Sequence, residues 1–104
     1  MTEIREVPGG RRYQGVDEAI AYKVTTTVWG SAPAGLVVSA YDITDGKRLD
    51  VTATVLTGAA SAAGDVVTLP KLGALTAKHL YRLELTFTSG VYTYECYFLV
   101  EAEV

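Results

Sequence analysis

Between Tyr81 and Phe87 the chain alternates without a break, with Tyr81, Leu83, Leu85 and Phe87 on one parity and Arg82, Glu84 and Thr86 on the other. After Ser89 and Gly90 the alternation resumes: Tyr92, Tyr94, Cys96, Phe98, Val100, Ala102 and Val104 are set against Thr93, Glu95, Tyr97, Leu99, Glu101 and Glu103. A period of two sends successive side chains to opposite faces of a strand, so the stretch predicts a long hairpin with one buried face. Ile20, Tyr22, Val24, Thr26 and Val28 repeat the pattern and predict an earlier strand. The turn cluster Gly30, Ser31, Pro33 and Gly35 leads into a strand from Leu36 to Ile43, whose parity is ambiguous because Leu36, Val38 and Ala40 compete with Val37 and Tyr41. Asp45-Gly46 predicts a hairpin turn there, since glycine accepts positive φ. Val51, Ala53 and Val55 alternate with Thr52 and Thr54 as a further strand, Gly58 to Gly64 reads as a loop, and Val66 to Leu69 is a short strand closed by Pro70. The shared alternation places Tyr22, Val24, Leu83, Leu85, Phe87, Tyr94, Phe98 and Val100 in the core.

Turn signals at roughly ten-residue spacing predict an all-β domain of about seven strands, a sandwich or a small barrel. Leu75 narrows the choice, because it precedes Tyr81 by six positions in GALTAKHLYRLEL and the tyrosine heads an alternating strand. This spacing resembles the tyrosine corner of immunoglobulin-like and fibronectin type III domains, in which the phenol bonds backbone upstream and the leucine plugs the end of the core. Ala77 stands where the fibronectin pattern usually has proline. The expected fold is thus an immunoglobulin-like or fibronectin type III-like β-sandwich over residues 16–104, preceded by an N-terminal arm over residues 1–15. Pro8, Gly9, Gly10, Arg11 and Arg12 break regular structure in that arm, leaving room for a short strand around Ile4 to Val7.

Composition bounds the function. A chain of 104 residues has the size of one domain, and 49 % hydrophobic with 20 % charged residues is ordinary for a folded one. The net charge of −3, with cations scattered among anions, leaves no electrostatic footprint for nucleic acid or an anionic membrane. MTEIREVPGGRR is charged where a signal peptide is apolar, and no apolar run is long enough to span a bilayer, so neither export by that route nor a membrane-spanning chain is expected. The single cysteine, Cys96, allows no internal disulfide.

No constellation for catalysis or metal binding emerges. His79 is the only histidine and has no His, Cys or carboxylate at ligand spacing in the sequence, so it reads as an exposed loop residue. Cys96 shares the inward parity of Tyr94 and Phe98 and reads as a small core hydrophobe. Asp42, Asp45 and Asp50 fail the EF-hand pattern, since Lys47 and Ala53 occupy the places of its glycine and bidentate glutamate, and they read as turn aspartates. The glycines match no phosphate-binding loop. The expectation is a protein without enzymatic activity, cofactor or metal.

The stretch from Val37 to Val104 resembles short phage and prophage proteins that are encoded among head and tail genes and carry an N-terminal arm before a β domain. The features that carry the resemblance are VVSAYD ending in Asp42, the Asp45-Gly46 turn, the Leu75 to Tyr81 step and the Tyr94-Glu95 pair. It implies a virion structural, decoration or adaptor protein, located in the virion or in the host cytoplasm before assembly. Its partners would be other virion proteins or further copies of itself, with no nucleic acid and no membrane. Contacts are expected from Arg5, Arg11 and Arg12 of the arm, which can pair with acidic neighbours, and from the outward residues Tyr97 and Leu99, with Tyr41 and Val37 added if the strand from Leu36 joins the same sheet. Glu101 and Glu103 read as charges that blunt an exposed edge. The competing readings are a carbohydrate-binding module, with Trp29 and exposed tyrosines stacking on sugar rings, and an adhesion module of a bacterial surface protein.

Overall fold

The computed structural model describes residues 5–7, 10–27 and 29–103. Its strands are β1 (Arg5–Glu6), β2 (Arg12–Gly15), β3 (Lys23–Thr25), β4 (Ala34–Asp42) and β5 (Leu49–Asp50), followed by the helical turn α1 (Thr52–Val55). Then come β6 (Leu56–Thr57), β7 (Ser61–Ala63), β8 (Val66–Thr68), β9 (Lys71–Leu72), β10 (Leu80–Ser89) and β11 (Tyr92–Glu103). Of the described residues 55 % lie in strands and 7 % in helical turns, so the class is all-β. Val28 and Val104, which the alternation places in strands, and Ile4, the start of the short strand expected in the arm, lie outside the described residues.

β10 organises the larger sheet. It runs antiparallel to β11 over its whole length, from Leu80 opposite Glu101 to Ser89 opposite Tyr92. The connecting loop is then Gly90-Val91, and Gly90 at φ +61° supplies the positive φ that the first position of a type II′ turn requires. On its other side β10 pairs antiparallel with β4, from Tyr81 opposite Asp42 to Thr88 opposite Ala34. β1 and β2 run parallel to the far side of β11, and β5 pairs with the end of β4.

The inward parity of the long hairpin forms the core: Leu83, Leu85, Phe87, Cys96, Phe98 and Val100 are each at most 2 % exposed. Two smaller sheets, β3-β8-β7 and β6-β9, add Val24, Val67 and Leu72 to the same buried cluster. Burying side chains of this size stabilises by about 1.5–3 kcal/mol each, so this shared cluster dominates the fold. Tyr22 and Tyr94 are only half-buried and pack on its rim.

Tyr81 is buried, and its hydroxyl oxygen accepts a 2.8 Å hydrogen bond from the Thr76 backbone N–H, while Leu75 is buried beside the same loop. The bond ties the loop before β10 to the strand that it feeds. Tyr81→Phe keeps the ring and removes the bond, so it is expected to lower stability by about 1 kcal/mol. An unchanged urea midpoint would assign Tyr81 to packing alone.

Four segments depart from the alternation. Residues read as a solvated arm lie along the domain itself: β2 pairs with Val100 to Glu103, and Val7 is buried with its N–H bonded to the Tyr97 carbonyl. The anchor is Gln14, fully buried, whose Nε2 donates to the carbonyls of Leu72 (2.7 Å) and Glu18 (2.9 Å) while its Oε1 accepts from the Tyr22 hydroxyl (3.0 Å). A buried amide with every partner supplied holds an otherwise polar segment in place.

The expected strand from Val51 to Val55 is a single helical turn, closed by Val55 N–H to the Val51 carbonyl at 3.0 Å. Val51 and Val55 are four apart, so the same residues also suit one helical face, and the chain must turn here to cross from β5 to the smaller sheets. Within the loop of small residues, Ser61 to Ala63 forms β7 against β8; all three are exposed, and backbone pairing alone leaves no apolar signature. The strand from Ile20 shrinks to β3, because Thr26 bends the chain by accepting the N–H groups of Trp29 and Gly30 on its carbonyl. Gly30 approaches so closely that a Cβ there would lie 2.6 Å from Ser89 Cβ.

Candidate interaction surface

Since Leu83 and Leu85 point inward, Arg82, Glu84 and Thr86 of β10 point outward. Register places Arg82 between Tyr41 of β4 and Leu99 of β11, Glu84 between Ser39 and Tyr97, and Thr86 between Val37 and Glu95. Tyr41, Tyr97, Leu99 and Val37 therefore share one face, and the ambiguous parity of β4 is resolved: Val37 and Tyr41 face out, Ala40 and Asp42 face in.

A row of side chains crosses this face. Arg82 lies with its Cζ 3.9 Å from the Tyr97 ring centroid and its Nε donates to Glu84 Oε2 at 2.8 Å. Arg48, from the turn after β4, donates from Nη1 and Nη2 to the two Glu84 oxygens at 3.0 and 3.3 Å, and its Cζ lies 3.9 Å from the Tyr41 ring centroid. The order is ring, guanidinium, carboxylate, guanidinium, ring. Exposed ion pairs and cation–π contacts each contribute no more than about 1 kcal/mol. Their larger effect is to hold two tyrosines in fixed orientation, which lowers the entropy that a partner would lose on ordering them.

Of the other residues with expected contacts, Arg11 pairs through Nη1 with Glu101 Oε1 of its own chain at 2.8 Å. Arg12 donates from Nη1 to the Gly10 carbonyl and covers the Phe98 ring. Arg5 lies in β1 opposite Cys96. Glu101 and Glu103 do not blunt an edge, because β1 and β2 cover that side of β11; Glu101 is occupied as the partner of Arg11.

His79 also differs from its reading as an exposed loop residue. It is half-buried, and its Nδ1 lies 2.7 Å from Oδ2 of Asp42, which is buried. A carboxylate only accepts, so Nδ1 carries the proton. The other oxygen, Oδ1, accepts from the Thr44 N–H (3.0 Å) and the Thr44 hydroxyl (2.6 Å), and Thr44 Oγ1 accepts from the Leu80 N–H at 3.0 Å. The network clamps the turn after β4 to the loop entering β10. Burial works against the charge on Asp42, but the bonds from Thr44 and His79 outweigh it, and the carboxyl is held below its usual 3.8. An Asp-His pair is also the orienting half of a hydrolytic triad, but among the described residues His79 Nε2 has no hydroxyl or thiol partner. Asp50 accepts from the N–H two residues on, as turn aspartates do. Cys96 sits in the core, where burial pushes its thiol up to about 12. Among the described residues, no group of three His, Cys, Asp or Glu side chains is placed to hold a metal ion.

At the hairpin tip Tyr92 is 65 % exposed and meets Tyr94 at 6.3 Å with the rings tilted by 53°. Trp29 meets Phe87 at 58°. Tilted rings make a poor flat platform for a sugar. Among the described residues no helix is long and apolar enough to cross a membrane. No family model matches this chain, and no curated protein is significantly similar to it.

Proposed function

We propose that this chain is a non-enzymatic protein-interaction module of immunoglobulin-like sandwich type that works in a multimeric assembly, as a head, neck or tail component of a phage or prophage virion. The tyrosine corner at Tyr81 supports the fold type. The virion setting rests on the resemblance of the stretch from Val37 to Val104. The observation that carries the interaction reading is the ordered row Tyr97, Arg82, Glu84, Arg48 and Tyr41 on one sheet face, flanked by Leu99 and Val37. Tyrosine and arginine are enriched at interface cores and in residues that dominate binding energy, whereas a face evolved only for solvation favours lysine and glutamate.

The test is sedimentation of the full chain, alone and with candidate head or tail proteins, beside a Tyr97→Ala, Leu99→Ala double variant and a chain lacking residues 1–15. Truncating a residue that dominates binding weakens a complex by about 2 kcal/mol, roughly thirtyfold, so the double variant is expected to lose binding by at least that factor while keeping its fold. The shortened chain is expected to be less stable, because β2 and Gln14 leave with it. If the intact chain binds none of the virion proteins but is retained on a glycan array, the carbohydrate-binding reading replaces this one.

A further inference from the structure

The two edges of the larger sheet differ. On one side β11 is covered by β1 and β2. On the other, β4 is covered only at its end: Asp42 and Tyr41 pair with β5, the Ala40 carbonyl accepts from Val51 N–H, and Ala40 N–H donates to Thr52 Oγ1. The N–H and C=O of alternate residues point to the same side of a strand, so those of Val38 and Leu36 point away from β10, as those of Ala40 do. Neither residue has a hydrogen-bond partner on that side among the described residues. The free run is bounded at both ends. Beyond Leu36 the β4 chain bulges, where Thr86 pairs with Val37 but Thr88 pairs with Ala34, and Gly35 takes φ +59°. Beyond Val38 the partners of Ala40 close the edge.

We infer that β4 is a homophilic edge, at which two copies of this chain pair antiparallel about a two-fold axis through Val37. Two free N–H and two free C=O groups, on Leu36 and Val38, are then matched by the same four groups of the second copy, with Leu36 opposite Val38 on both sides of the axis. No other antiparallel register pairs all four. Val37 is 59 % exposed and would meet its symmetry mate as a non-hydrogen-bonded pair, the closer of the two antiparallel spacings. The pairing is confined to Leu36, Val37 and Val38, because Val51 and Thr52 already occupy the edge beside Ala40. The stretch Ala34 to Ala40 contains no charge and no proline, so nothing repels the second copy, and unblunted edges of this kind recruit strands. The contact is isologous, which closes at two copies, and joins two larger sheets into one. It uses the rim of β4 and leaves the row from Tyr97 to Tyr41 open, sharing with that face only Val37 at its margin.

The test is sedimentation of the full chain from about 10 µM to about 1 mM, since a pairing of four hydrogen bonds is weak on its own. A monomer–dimer equilibrium is expected for the native chain. Val37→Lys and Val37→Glu each place like charges on the axis and are expected to weaken dimerisation at least about fivefold at low salt, while an equimolar mixture of the two restores it. Val37→Cys is expected to cross-link to its symmetry mate under mild oxidation, with the buried Cys96 inert, whereas Val91→Cys, at the exposed hairpin tip, is not. A native chain that stays monomeric to about 1 mM, a dimer indifferent to both charged variants, or equal cross-linking at positions 37 and 91 would each overturn the inference.

Discussion

Phe87→Ala is expected to lower the stability of this domain by about 3–5 kcal/mol, the largest loss from any single truncation in it. Phe87 is fully buried and lies on β10 opposite Tyr94, with the two rings stacked at 5.6 Å and 28°. Trp29 closes on it from the turn after Thr26, at 6.5 Å. Opposite Phe87 on the other side is the β4 bulge between Val37 and Ala34. Alanine therefore opens a cavity that neither Tyr94 nor Trp29 can fill, because Tyr94 is fixed by its strand and Trp29 by the close approach of Gly30 to Ser89. Against the usual total of about 5–15 kcal/mol, the variant should be marginal. Urea unfolding followed by tryptophan fluorescence reads both the midpoint and the loosening of Trp29. A loss below about 1 kcal/mol would mean that the aromatic end of the core collapses around the gap.

Asp42→Ala is expected to cost about 2–4 kcal/mol at neutral pH. It removes one acceptor that serves three donors, the N–H and hydroxyl of Thr44 and the Nδ1–H of His79, and bonds to a charged group are the stronger kind. It also removes the bond from His79 that links the loop entering β10 to the end of β4, leaving the backbone bond from Ile43 N–H to the Leu80 carbonyl. The loss has a pH signature. The Asp42 carboxyl is held below its usual 3.8 in the folded chain, so its stabilising contribution is fully present above 3.8 and disappears as the pH falls through the lower, folded-state value. Native and Asp42→Ala chains should differ most at neutral pH, and their unfolding free energies should converge under acid. A gap that is constant with pH would assign the effect of the substitution to packing instead of charge.

How far the sequence reaches is visible in single residues. Leu83, Leu85, Phe87, Phe98 and Val100 are buried as their alternation predicts, because facing in a strand depends on parity alone. Tyr41, Tyr97 and Leu99 fall on one outer face for the same reason, once β4 is in register with β10. Arg82 and Glu84, equally outward, were visible in the same pattern, and their i, i+2 spacing was the signal that could have marked them. Arg48 was not, since nothing local says that a turn residue reaches back to Glu84 across the sheet. His79 and Asp42 are 37 positions apart, and each on its own reads as a loop or turn residue.

What the sequence determined by itself is therefore the all-β class, the long β10–β11 hairpin with its inner and outer faces, and the Leu75 to Tyr81 step, all properties of neighbours along the chain. What only the tertiary structure decided is which strands meet. The parallel docking of β1 and β2 on β11 depends on a buried Gln14 finding carbonyls and a hydroxyl supplied by other segments. β7 exists only as a backbone partner of β8, and α1 replaces a strand because the chain must leave β4 at Ala40 to reach the other sheets. The open edge of β4 belongs to the same class. An edge is defined by what fails to pair with it, and a sequence specifies each strand's own side chains but not, locally, the strand beside it.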